Sequence, residues 1–310
     1  MIKVENVVFE YPQKRALNNV SFHIKQGSIT ALVGPNGSGK TTLMRCIAAL
    51  DTPFSGNIFV SDVDALENPR EAHRKIGYLS DFFGLYNDLT IKQCLTFVAE
   101  LHQIPQNLIA AKIAIVAEQL DLSSRLNVTA ANLSRGLRQR LGIAQAIIHD
   151  PQILILDEPA SGLDPEARYG LSRLFLDLNA KGVTLLVSSH ILAELEDYCT
   201  DMLMIRNGEI IDHLQAGKKS SSNENESKVM IKVTLCENAD KYLTLFKQSQ
   251  DIEQINVQEN VIEFLFPESP EKQNLLLKML IENNVPLYNF TTHKKSLQDI
   301  YMDYATEKGI

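Results

Sequence analysis

SITALVGPNGSGKTTLMRCIAAL, residues 28–50, decides the fold of the chain's first half. A short apolar run, SITALV, reads as a strand and ends at Gly34; a helix is expected to begin near Lys40. Between them stand Gly34, Pro35, Asn36, Gly37, Ser38, Gly39, Lys40 and Thr41, followed by Thr42, a full match to a phosphate-binding loop. Glycines at this spacing let backbone N–H groups approach phosphate oxygens, and the helix start adds its positive dipole end. Lys40 is expected to reach the terminal phosphates and the Thr41 hydroxyl to ligate magnesium. A purine nucleoside triphosphate with Mg2+ is the expected ligand.

Three further apolar runs end in reactive residues. KIGYL (75–79) runs into Ser80 and Asp81, QILIL (152–156) into Asp157 and Glu158, and VTLLV (183–187) into Ser188, Ser189 and His190. Continuous apolar runs suit strands covered on both faces, and open α/β sheets bind ligands beyond the carboxyl ends of such strands. All four endings therefore point at one rim. Phosphoryl transfer needs mainly positioning and charge compensation, so Asp157 is expected in the magnesium shell and Glu158 as the group that orients and deprotonates the attacking water. His190 is expected to hydrogen-bond a terminal phosphate or that water.

LSRGLRQRL (133–141) raises a separate question. A serine, then Gly136, then a periodic run of Leu137, Leu141 and Ala144 read as a helix start built to hold an anion. One nucleotide-binding domain has no evident need of a second such cradle.

With 310 residues, 45% of them hydrophobic, the chain can bury a large core and is expected to make more than one domain. A net charge of −8 argues against a dedicated nucleic-acid binder. Cys46, Cys94, Cys199 and Cys236 show no paired spacing, so all four are expected to be reduced and structural rather than zinc ligands or disulfides. The start, MIKVENVVFEY, is unlike a signal peptide, and no apolar run approaches the roughly 18 residues of a membrane span. The expectation is a cytosolic chain whose membrane role comes through a partner. Alternating strands and helices to about Leu214 predict an α/β domain over 1–215 with a mainly parallel sheet. The polar stretch AGKKSSSNENESK, 216–228, reads as a linker. Over 229–310 the predicted order is βαββαβ, a small α+β, ferredoxin-like unit, with helices over 239–249 and from Pro270 and a last helix from Ser296 to about Glu307.

These residues in this order closely resemble the nucleotide-binding domain of ABC (ATP-binding cassette) ATPases over essentially all of 1–214: the phosphate loop, LSRGLRQRL, ILILDEP, SGLD (161–164) and His190. The resemblance implies a P-loop cassette with an antiparallel β subdomain and a helical subdomain at about 82–150. It implies that Tyr11 stacks on adenine. It also answers the question of the second cradle: two domains pair head to tail, and Leu133, Ser134, Arg135, Gly136 and Gln139 form a half-site for the ATP held by the partner's loop. Ser161, Gly162, Leu163 and Asp164 are expected at the same interface.

Two departures matter. Arg135 and Leu137 stand where the family has a glycine and a glutamine; Arg135 either adds positive charge near the partner's phosphates or points to solvent. Asp81 stands where the family has a glutamine, and is either a water-mediated magnesium contact or a plain loop residue. Phe82, Phe83 and Tyr86 either receive a permease's coupling helices or pack between subdomains. The family implies an ATPase subunit driving a separate integral membrane permease from the inner face of the membrane, as a homodimer or heterodimer of cassettes, and the motif style with the trailing domain resembles the exporters with ABC-2-type permeases. The trailing domain is expected to be regulatory or dimer-supporting. A non-transport ABC ATPase, or an ATP-dependent regulatory protein, are the alternatives.

Overall fold

A computed structural model describes residues 1–81, 84–189, 195, 198–215, 228–247, 249 and 251–293. The chain forms two compact units, Met1–Ser220 and Ser221–Ile310.

In the first unit, β1 (Ile2–Tyr11), β2 (Lys14–Ile24), β4 (Ser55–Val60) and β5 (Val63–Asp64) make an antiparallel sheet of order β2-β1-β4-β5. The other sheet holds β3 (Ile29–Val33), β6 (Ile76–Leu79), β7 (Ile153–Leu156), β8 (Thr184–Ser189), β9 (Asp201–Arg206) and β10 (Glu209–Gln215), in the order β10-β9-β3-β8-β7-β6. All neighbours in it are parallel except β10 against β9. Every residue of β3, β7 and β8 is buried, which is why these strands are unbroken apolar runs rather than alternating ones.

The register sets the rim. Leu79 lies opposite Leu156, Leu156 opposite Val187, and Val33 opposite Ser189, so Gly34, Ser80, Asp157 and Ser188 emerge at neighbouring strand ends as expected. β8 runs further than its apolar residues suggest and includes Ser188 and Ser189.

Helix α1 (Lys40–Ile47) leaves the phosphate loop and is anchored by Leu43 and Met44 in one core with Ile2 and Leu17 of the antiparallel sheet and Leu32 and Ile155 of the central one. Burying each such side chain contributes roughly 1.5–3 kcal/mol, so the loop stands on a rigid base. After α2 (Pro69–Lys75), the region between Asp81 and Ser134 is helical: α3 (Ile91–Leu101) and α4 (Gln106–Gln119), then two 3-10 turns. Thr90 and Gln93 start α3 as a reciprocal cap, the Thr90 hydroxyl accepting from the Gln93 N–H at 3.2 Å and Gln93 Oε1 accepting from the Thr90 N–H at 2.8 Å. α5 (Arg135–Ile147) and α6 (Pro165–Ala180) complete the helices that concern the site.

The second unit runs β11 (Lys228–Leu235), a 3-10 turn (Ala239–Tyr242), α7 (Leu243–Lys247), β12 (Glu253–Gln258), β13 (Val261–Pro267), α8 (Pro270–Glu282) and β14 (Leu287–His293). Its sheet is antiparallel throughout with order β12-β13-β11-β14, the ferredoxin-like arrangement. Ser269 caps α8 by accepting from the Lys272 N–H at 3.3 Å, and Pro270 fills the first turn, where no donor is required. The helix expected over 239–249 is instead a 3-10 turn leading into five α-helical residues. The helix expected from Ser296 lies outside the described residues.

All four cysteines are free. Cys46 and Cys94 are core residues, but Cys236 is exposed, which corrects the expectation that all four are structural. Among the described residues no helix is long and apolar enough to cross a membrane.

Candidate active site

The loop between β3 and α1 is built around space that only glycine leaves. A Cβ on Gly34 would stand 2.1 Å from the Ile205 carbonyl oxygen. Gly39, which precedes α1, has φ +110 and a Cβ there would meet the Ala16 carbonyl oxygen at 2.7 Å. Lys40 folds back into this loop: its Nζ donates to the Gly34 carbonyl at 2.8 Å and the Pro35 carbonyl at 3.3 Å, and the residue is only 7% exposed. Burial holds the Lys40 ammonium below its ordinary pKa, while the nearby Glu158 and Asp157 carboxylates act against that shift. The lysine and the two strand-end carboxylates therefore share one electrostatic site. Thr41 is exposed at the helix start. Thr42 is buried, its Oγ1 lying 3.3 Å from the Tyr11 hydroxyl. Tyr11 is 45% exposed and meets Phe9 edge-on at 5.0 Å, so its ring is available beside the loop rather than consumed in the core.

Asp157 is 1% exposed. Its Oδ1 accepts from the Ser188 hydroxyl at 2.6 Å, while its Oδ2 is buried with no hydrogen-bond partner among the described residues. A buried carboxylate oxygen without a donor is costly unless a cation answers it, so this residue fits Mg2+. Glu158 has φ +50. Its N–H donates to Ser188 Oγ at 2.8 Å and its carbonyl accepts from the Ser161 N–H at 3.1 Å. One hydroxyl thus holds both acidic residues. Sequence reasoning placed Ser188 at the rim but assigned it no role; the pairing of Leu156 with Val187 brings its side chain to the acids. Asp81 is exposed just past β6. His190, Phe82 and Phe83 lie outside the described residues. Tyr86 is exposed and stands edge-on to Phe97, 5.6 Å between centroids.

At the start of α5, where the second anion site is expected, Ser134 caps the helix, its Oγ accepting from the Leu137 N–H at 3.4 Å. Leu133 is buried, and Gly136 and Gln139 are half-buried. The first turn carries Arg135 and Arg138 and no acid. Arg135, expected either at the partner's phosphates or in solvent, donates from Nη2 to the Ser161 carbonyl of its own chain at 2.9 Å. Leu163 is buried, and Asp164 caps α6, its Oδ1 accepting from the Ala167 N–H at 2.8 Å.

Residues 17–161 match the family described as ABC transporter. YxlF of Bacillus subtilis, an uncharacterised ABC transporter ATP-binding protein, is 36% identical over 210 residues, covering 68% of this chain and 69% of its own. BcrA of Bacillus licheniformis, a bacitracin transport ATP-binding protein, is 29% identical over 303 residues, 97% of this chain and 96% of that one. A solved ATP-binding subunit of an ABC transporter shares 29% identity and superposes with a TM-score of 0.64 over 69% of this chain and 90% of its own. The glycine loop closed around its lysine, the carboxylates at the next strand end and a relative 36% identical across two thirds of both chains agree: this protein belongs to the ATP-binding subunits of ABC transporters, and it is an ATPase.

Proposed function

We propose that this subunit drives export. It would pair head to tail with a second cassette and act on a separate membrane permease from the cytoplasmic face. The observation that carries the pairing is Gly136. A Cβ there would meet nothing in its own chain closer than 3.7 Å, so the fold has room for alanine. Glycine near a helix start is retained at up to about 1 kcal/mol relative to alanine, and a ligand approaching that backbone from outside supplies the reason. An acid-free first turn with free backbone N–H groups at its positive dipole end suits a phosphate, here the ATP of the partner cassette.

In this reading Lys40 and the loop amides hold the phosphates and Tyr11 stacks on adenine. Asp157 and Thr41 would hold Mg2+, which supplies positive charge to the phosphate oxygens when bound, with Asp81 outside them. Glu158 orients the attacking water and takes its proton, and His190 contacts the terminal phosphate or that water. The end-to-end likeness to a bacitracin transport subunit supports the transporter assignment. Residues 229–310 would serve a regulatory or dimer-supporting role.

The test is Glu158→Gln, which binds Mg-ATP and stalls hydrolysis. Light scattering should find a dimer with ATP and a monomer with ADP; a monomer at saturating Mg-ATP refutes self-pairing. Isolation from native membranes in mild detergent should bring down a polytopic protein, and recovery from the soluble fraction alone refutes the transporter role.

A further inference from the structure

Arg135 is badly placed for its own helix. A cation in the first turn opposes the helix dipole, and no acid in that turn offsets it. Its contacts lie elsewhere, on the loop that follows Glu158. Nη2 donates to the Ser161 carbonyl at 2.9 Å, and the guanidinium lies flat over Gly162, where a Cβ would stand 2.2–2.4 Å from Cζ, Nη1 and Nη2. Gly162 has φ +67, so the backbone favours glycine there, and its missing side chain leaves the place that the guanidinium fills. The N–H of the same Ser161 donates to the Glu158 carbonyl at 3.1 Å, and Leu163 N–H closes the next turn on Ala160 at 3.2 Å.

Glu158 is a non-glycine residue in the left-handed region, a conformation that persists only where its surroundings hold it. Ser188 grips it on the amide side; on the carbonyl side the grip passes through Ser161 to Arg135. We infer that Arg135 is a positioning residue for Glu158: it fastens the Ser161–Asp164 loop to the start of the helix that Ser134 caps, so that the catalytic carboxylate and the half-site for the partner's ATP form one mechanical unit. The positioning of Glu158 needs only the ATPase activity; the link to the partner's ATP rests on the head-to-tail reading.

The experiment uses the full chain with Arg135→Met, which keeps aliphatic cover on Gly162 but removes every donor, and Arg135→Lys, which restores one. Arg135→Met should lower kcat about tenfold while the dissociation constant for a fluorescent ATP analogue stays within about twofold, and Arg135→Lys should recover kcat to within about threefold. Mg-ATP should still dimerise Glu158→Gln with Arg135→Met. An unchanged kcat overturns the inference. So does a loss of ATP affinity or of dimerisation confined to the Arg135→Met background, because Arg135 would then be a contact to nucleotide. If Glu158→Gln alone stays monomeric, the head-to-tail reading fails, while the kcat comparison still decides the role of Arg135 at Glu158.

Discussion

Replacing Ser188 by alanine should damage the site more than any other loss of one oxygen atom. The Ser188 hydroxyl is fully buried, donates to the Asp157 carboxylate at 2.6 Å and accepts from the Glu158 N–H at 2.8 Å. A hydrogen bond to a buried charge contributes about 1.5–3 kcal/mol and the neutral one about 1 kcal/mol. No bulk water reaches the position to replace either, so Ser188→Ala should destabilise the first unit by about 3 kcal/mol. The catalytic effect is separable. Asp157 would lose the donor that orients it and Glu158 its amide anchor, while the phosphate loop is untouched, so kcat should fall at least about tenfold with nucleotide affinity held within about threefold. Urea unfolding of the nucleotide-free chain followed by circular dichroism gives the first quantity, and steady-state turnover with analogue titration gives the second. A change in unfolding free energy below about 0.5 kcal/mol together with kcat within about twofold of the parent would refute the reasoning that one hydroxyl organises both acids.

Two further substitutions follow. With Tyr11 stacked on adenine as proposed, Tyr11→Ala should weaken ATP binding about tenfold and Tyr11→Phe should leave it within about twofold, since among the described residues the hydroxyl bonds to Thr42; equal losses in both would mean that the Thr42 contact, not the ring, matters. His149 stacks on His102 at 3.7 Å, donates from Nε2 to the Ile76 carbonyl at 3.1 Å, and its buried Nδ1 has no partner among the described residues. Burial first, then the neighbouring His102 and Lys112, push its pKa down to about 4 despite the Ile76 bond. Between 6.5 and about 4 the unfolded chain therefore binds a proton that the fold excludes, and stability falls as pH drops through that window, by at most about 3 kcal/mol. His149→Gln should flatten the fall in melting temperature between pH 7.5 and pH 5; an identical fall in both proteins would show that the loss arises elsewhere.

Much of this was legible in the chain because the signals are local. Unbroken apolar runs identify β3, β7 and β8, since a strand covered on both faces has no polar side to alternate with. Ser269 and Pro270 mark where α8 begins, because a capping oxygen and a missing donor are properties of single residues. The segment 239–249 is not one helix: its apolar spacing is helical throughout, but Asn238 accepts from the Asp240 N–H at 2.8 Å and opens a tighter turn that buries Ala239, and only α7 after it, which buries Phe246, is α-helical.

The amino-acid order by itself determined the phosphate loop, the acids at a strand end, the helix start at Ser134 and the βαββαβ order of the trailing unit, all of them patterns within a few tens of consecutive residues. Only the tertiary structure decided that Ser188 serves Asp157 and Glu158, that Tyr11 leans on Thr42, and that Arg135 turns to Ser161 of its own chain. Each of those pairs joins residues 26 to 31 positions apart. Such meetings depend on strand register and on the seating of helices over a common core, and a serine, a tyrosine or an arginine carries no mark in its neighbours of which distant atom it will reach.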